Sequence, residues 1–166
     1  STAKEDHHIK IVTNSGYLWD SNQGEAIEKG NLIHNIMFKI NTKEDVDFTI
    51  NAFLESSIVN QEQSEILKKL VFEIIKHPKL STYFNSDFLI YNERDIITRQ
   101  GQILRPDRVL LNANNEAIII DYKTGKEDHS HVQQLISYHD IIESMDLKVI
   151  KKFLVYINDD IRVKEL

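Results

Sequence analysis

Three consecutive isoleucines sit in the middle of EAIIIDYKTG, residues 116–125. A short apolar run rich in β-branched residues, bounded by turn-forming residues, reads as a buried strand. The strand then ends in opposite charges: Asp121 and Lys123 are separated only by Tyr122. Side chains alternate along a strand, so Asp121 and Lys123 share a face with Ile119 while Tyr122 points the other way. Asp121 is therefore where an apolar face gives way to a polar site.

The segments before it fall into a helical half and a strand half. From Glu25, apolar residues recur at three-to-four spacing (Ile27, Ile33, Ile36, Met37, Ile40), which predicts a helix. A second helix is predicted over 43–57, with Val46, Ile50, Phe53 and Leu54 inward. A third, over 61–76, has Ile66, Leu67, Leu70, Val71, Ile74 and Ile75 as its stripe and is closed by Pro78. Strands are expected over 87–98, 103–111 and 116–122, joined by polar turns at 99–102 and 112–115, as an antiparallel meander. A helix over 130–145, with Val132, Leu135, Ile136, Ile141 and Ile142 apolar, and a strand over 149–157 complete the order. Asp159-Asp160 then turns the tail. The fold class expected is α/β (α+β), a mixed central sheet flanked by helices, with an N-terminal helical portion. Residues 1–24, polar and mixed with an apolar knot at Tyr17-Leu18-Trp19, read as an arm or connector, and 25–166 as one domain excised from a longer chain.

The 166 residues contain no cysteine, which excludes disulfides, thiolate zinc sites, cysteine-ligated iron–sulfur clusters and cysteine nucleophiles. Metal chemistry would have to use carboxylates and histidine, a donor set that favours Mg2+ or Mn2+. A net charge of −6 argues against a protein that coats nucleic acid, but leaves room for an enzyme whose acids hold cations. No apolar run approaches membrane-spanning length, and no membrane partner is expected.

A meander places Asp107, in Arg105-Pro106-Asp107, across from the end of the Asp121 strand. Two carboxylates brought together repel unless a cation or proton sits between them, and oxygen ligands of this kind suit a hard divalent ion. Lys123 faces the same space, where an ammonium can orient water or stabilise charge on a phosphoryl oxygen.

Pro106-Asp107, thirteen residues and then Asp121-Tyr122-Lys123 resemble the PD-(D/E)XK nuclease superfamily, and DYKTG is similar to its RecB/AddA-type branch, the nuclease domains at the C-termini of helicases. The glycine-to-histidine string Gly30–His34, the Asn92-Glu93-Arg94 segment, and Gln134 with Tyr138 resemble further elements of that branch in the same order. The likeness spans residues 25–157. It implies a restriction-endonuclease-like core in which His34, Asp107, Asp121 and the Tyr122 carbonyl ligate Mg2+ or Mn2+ and Lys123 is the catalytic lysine. Gln134 and Tyr138, on one helix face, would contact the DNA strand or position the lysine. Glu93 fits either a ligand or a support residue paired with Arg94 or Arg105.

The implied reaction is metal-dependent hydrolysis of DNA phosphodiesters, exonuclease-type, in double-strand-break repair and recombination in the bacterial cytosol. The implied substrate is single-stranded DNA delivered by a helicase in cis or as a partner subunit. The sequence has no nucleotide-binding loop, so ATP would act only through that motor. Arg105, Arg108, Lys126, His129 and His131 are candidate DNA contacts. Two other readings compete: a catalytically silent nuclease-fold module that binds DNA or scaffolds a helicase, and a hydrolase of another phosphoester. Trp19 reads as a packing anchor, and His7, His8, His129, His131 and His139 form no metal spacing.

Overall fold

The computed structural model describes residues 23–166, so the expected arm, with Trp19, His7 and His8, lies outside the described residues but for Gln23 and Gly24. The chain forms two compact units that divide between Ser81 and Thr82.

The first unit is helical: α1 (Gln23–Phe38), α2 (Asp45–Glu55) and α3 (Gln61–Ile75). The three-to-four spacing read from the sequence becomes buried Ile33, Ile36 and Met37 on α1, Val46, Ile50 and Phe53 on α2, and Leu67, Leu70, Val71, Ile74 and Ile75 on α3. The start of α3 is fixed by a capping box. Asn60 accepts from the Gln63 amide at 2.8 Å, and its own amide donates to Gln63 Oε1 at 2.9 Å. Lys68 on α3 reaches Asp47 on α2 at 2.6 Å, an exposed ion pair that adds little.

The second unit is a mixed sheet with one long helix. Its strands are β1 (Leu89–Asn92), β2 (Ile96–Ile97), β3 (Ile103–Leu104), β4 (Arg108–Leu111), β5 (Glu116–Lys123), β6 (Lys148–Ile157) and β7 (Ile161–Glu165), and α4 (His129–Glu143) connects β5 to β6. The main sheet has the order β1-β4-β5-β6-β7. Neighbours are antiparallel except β5 and β6, which run parallel as a helical crossover requires. The expected mixed α/β class is observed.

Two expected strands are each broken in two. The 87–98 strand leaves the sheet at Glu93, whose φ of 47° is a left-handed turn, and the 103–111 strand is interrupted at Pro106, which cannot donate to a ladder. The pieces between these breaks, β2 and β3, pair with each other as a separate hairpin. Gly101 turns this hairpin with a φ of 83°. The tail after Asp159-Asp160 does more than turn, because β7 adds a fifth strand along β6.

Both faces of β5 are buried, as the isoleucine run requires. One face, with Ala117 and Ile119, packs on Leu135, Tyr138 and Ile142 of α4 together with Val109, Leu154 and Tyr156. Of the apolar residues of this helix, Ile136 is 41% exposed and Ile141 is half-buried. The inward stripe follows residues 135, 138 and 142, and the neighbours of those positions rotate off the sheet. The opposite face carries Leu110, Ile118, Ile120, Tyr122 and Phe153, all buried, with the Tyr83 ring 5.6 Å from that of Phe153.

Candidate active site

The antiparallel register sets Arg108 across from Ile120, so the next step outward brings Asp107 beside Asp121 on the α4 face. The two acids are bound into each other's backbone. The Tyr122 amide donates to Asp107 Oδ2 at 2.8 Å, and the Asp107 amide lies 3.3 Å from Asp121 Oδ1. An N–H and C=O of one strand residue project to the same side, so the Tyr122 carbonyl is directed to the edge where Asp107 stands. Lys123 Nζ is 3.1 Å from Asp121 Oδ2 and donates to Gln134 Oε1 at 2.6 Å. Asp107, Asp121, Lys123 and Gln134 thus form one bonded group.

Asp121 is 3% exposed, and burial is the main reason its carboxyl is pushed up to about 7. The charge and hydrogen bonding of Asp107 add to the rise, while Lys123 opposes it. Tyr138, one turn beyond Gln134 on α4, directs its hydroxyl toward the Arg105 carbonyl oxygen at 3.4 Å. Burial first, then the negative charges of Asp121 and Asp107, push its phenol upward, so the neutral donor persists at any ordinary pH.

This donor set fits a hard cation. Two adjacent carboxylates with excess negative charge, flanked by a backbone oxygen, suit Mg2+, which takes one or two carboxylates and completes its shell with water and phosphate oxygens. Among the described residues, no group of three or more His, Asp or Glu side chains gathers. His34 belongs to α1 in the helical unit. Its Nδ1 is 2.8 Å from the Gly30 carbonyl oxygen, and a ring that donates there carries its lone pair on Nε2.

The other sequence candidates separate. The Glu93 amide donates to the Asp107 carbonyl at 2.9 Å, which places Glu93 alongside the acid pair. Arg105, 59% exposed in its side chain, pairs with Asp95 at 2.7 Å, a partner that sequence reasoning does not single out. Asp95 raises the Arg105 pKa, with a smaller contribution from Glu93. Arg108 is a correction. Its guanidinium is fully buried, donates to the Tyr83 carbonyl at 2.8 Å and to Asn92 Oδ1 at 3.3 Å, and lies 4.1 Å over the Phe84 ring, so it cannot meet a phosphate. Strand alternation turns it to the face opposite Asp107. Lys126 and His129 are exposed. His131 Nδ1 is 2.9 Å from the Tyr156 hydroxyl, and its pKa is lowered by burial and then by the positive charge of Lys123.

Sequence reasoning missed Asn158. This residue follows the end of β6 and clasps the loop after Lys123: its Oδ1 accepts from the Gly125 amide at 2.9 Å and its Nδ2 donates to the Gly125 carbonyl at 3.1 Å. Gly125 has a φ of 93°, a conformation that other residues rarely adopt. An asparagine 33 residues downstream carries no local signal of this bond.

No protein-family model matches the chain, and no curated protein does. Among solved structures, one titled "Crystal structure of SSO0001" is similar over 98% of this chain and 77% of its own, at 18% identity and a TM-score of 0.34.

Proposed function

We propose that the chain is a metal-dependent DNA nuclease domain of the PD-(D/E)XK type, RecB/AddA-like, which hydrolyses phosphodiesters of single-stranded DNA in concert with a helicase during double-strand-break repair in the bacterial cytosol. The observation that carries this reading is the bonded group of Asp107, Asp121 and Lys123 at the open ends of adjacent strands, backed by Gln134. An exposed ion pair would account for Asp121 and Lys123 alone. It does not account for a second carboxylate held against a buried first one, an arrangement that opposes folding unless a ligand compensates it. The meander–helix–strand order around the site agrees with a restriction-endonuclease-like core. No described helix is long and apolar enough to cross a membrane.

In this reading Asp107, Asp121 and the Tyr122 carbonyl hold Mg2+ or Mn2+. The cation supplies Lewis-acid activation of water and neutralises phosphate charge. Lys123 provides a fixed positive charge beside the phosphoryl oxygens, where charge builds during in-line displacement. Gln134 accepts a hydrogen bond from that ammonium and so aims it, and Tyr138 remains a neutral donor at the rim. ATP enters only through the motor.

The test is cleavage of end-labelled single-stranded DNA in manganese by the unaltered chain, Lys123→Ala and Asp121→Ala. Cleavage lost in both variants supports the reading, and equal cleavage in all three ends it. Metal-independent DNA binding with no cleavage, also after addition of the helicase partner, would establish the silent module instead. Faster turnover of small phosphoesters than of DNA would establish the other hydrolase.

A further inference from the structure

The main sheet ends in two unlike edges. β7 carries Arg162, Lys164 and Glu165, side chains of the kind that keep an edge strand from pairing with another chain. β1, Leu89–Asn92, has no charge, no proline and no bulge, and among the described residues no strand pairs with its outer side. Two of its side chains are apolar and open: Leu89 is 61% exposed and Tyr91 40%. They pair with Leu111 and Val109 and so share the sheet face that α4 covers over β5 and β6, a cover that leaves the β1 end of this face open.

The backbone of β1 fixes what can pair with it. The Glu93 amide bonds the Asp107 carbonyl, two positions beyond the Tyr91–Val109 pair and four beyond Leu89–Leu111. Bonded and non-bonded pairs alternate along an antiparallel ladder, so Leu89 and Tyr91 turn their amides and carbonyls to β4, and those of Ile90 face outward. A second, antiparallel β1 docks there in a self-complementary register. A two-fold axis perpendicular to the sheet keeps the α4 faces together, sets Ile90 opposite its own copy as a bonded pair, and sets Leu89 opposite Tyr91 on both sides. These last are non-bonded positions, where side chains approach most closely, and an aromatic facing an aliphatic is a favourable cross-strand pair. Behind Tyr91, a mostly apolar cavity of about 350 Å3, walled also by Val109, Leu111, Ile142 and Met145, carries the apolar surface inward. Two four-residue strands fall short of the roughly 1,200 Å2 that a stable dimer buries. The apolar rim, with Met145 55% exposed, adds surface, and the association belongs to the weak, reversible class.

We propose that β1 is a pairing edge for a second copy of this chain, so that two five-stranded sheets join into one of ten strands about a two-fold axis at Ile90. A second copy suits this edge because one strand satisfies the Leu89–Tyr91 match twice, and because neither β1 brings a charge to the seam. The bodies of the two copies do repel, at a net charge of −6 each, so the pairing should tighten as salt screens them. The proposal is independent of the nuclease reading and stands or falls whether or not the chain cuts DNA.

Sedimentation velocity of the full chain, from micromolar to submillimolar concentration, is expected to show a reversible monomer–dimer equilibrium that tightens with salt. Tyr91→Lys, which puts an ammonium on the edge, is expected to weaken the dimer at least about tenfold. Lys164→Gln, on the far edge strand β7, should leave it unchanged. The register is read by crosslinking, since the chain has no cysteine of its own. Under mild oxidation, a mixture of Leu89→Cys and Tyr91→Cys chains should form disulfide dimers, because facing non-bonded residues stand about 4.5 Å apart. Either variant alone should crosslink poorly, because each cysteine is two positions out of register with its own copy. Both side chains are exposed, and melting transitions check that the variants fold. A chain that stays monomeric throughout, a dimer indifferent to Tyr91→Lys, or crosslinking no stronger in the mixture than in either variant alone overturns the proposal and leaves β1 to a strand of another protein.

Discussion

Lys123 Nζ donates to Gln134 Oε1 at 2.6 Å, a single bond that ties the end of β5 to the first half of α4. The amine is thereby held from two sides, by Gln134 and by Asp121 at 3.1 Å. Gln134→Ala removes the neutral holder and leaves the charge in place. Turnover of single-stranded DNA is expected to fall about tenfold to a hundredfold with KM little changed, the pattern of an interaction that matters in the transition state. Steady-state kinetics of the variant on labelled oligonucleotides measures this, and Gln134→Glu should restore part of the rate.

The buried acid pair makes the metal-free protein sensitive to pH in an unusual direction. The Asp121 carboxyl has a folded-state pKa of about 7, above the value near 4 of an unfolded chain, so the folded protein holds a proton that the unfolded one releases. Its contribution to stability is fully present below about pH 4 and is lost as pH rises through about 7. In EDTA, Asp121→Asn is expected to unfold at higher denaturant than the unaltered chain at pH 8, by on the order of 1–4 kcal/mol, and to lose that advantage at pH 4. Urea titrations at the two pH values read the difference directly.

Divalent cation should reverse the same destabilisation. Mn2+ is expected to raise the melting temperature of the unaltered chain at pH 8 in a concentration-dependent way, because a ligand that binds only the folded state stabilises it by mass action. Asp107→Asn and Asp121→Asn should each flatten that dependence. A rise of equal size in both variants would place the cation elsewhere.

Arg108, a candidate DNA residue by sequence, is a buried structural cation. Arg108→Met keeps most of the volume but leaves the Tyr83 carbonyl and Asn92 amide oxygen without its guanidinium. The expected loss is about 2–4 kcal/mol in equilibrium unfolding, with no change in the salt dependence of oligonucleotide binding.

Asn158→Ala releases Gly125 and the loop behind the lysine. A loss of about 1–2 kcal/mol in stability is expected, with a several-fold drop in kcat. Asn158→Asp should keep the bond from the Gly125 amide and lose the one to the Gly125 carbonyl, giving an intermediate rate.

The sequence by itself determined the elements and the centre of the site. Period-three-to-four stripes fixed the helices, because burial of one face needs only local spacing, and the isoleucine run fixed a strand covered on both sides. Alternation along that strand put Asp121 and Lys123 on one face, and the meander put Asp107 next to them, since short antiparallel links leave little choice of register. Only the tertiary structure decided what depends on partners distant in the chain. Glu93 and Pro106 break two strands and free a hairpin, because a left-handed turn and a missing amide act on a ladder whose partner the local pattern does not reveal. The inward direction of Arg108, the Asp95 partner of Arg105, and the clasp of Asn158 on Gly125 follow from strand register and crossover. Those are long-range relations that hydrophobic periodicity, a property of near neighbours, does not encode.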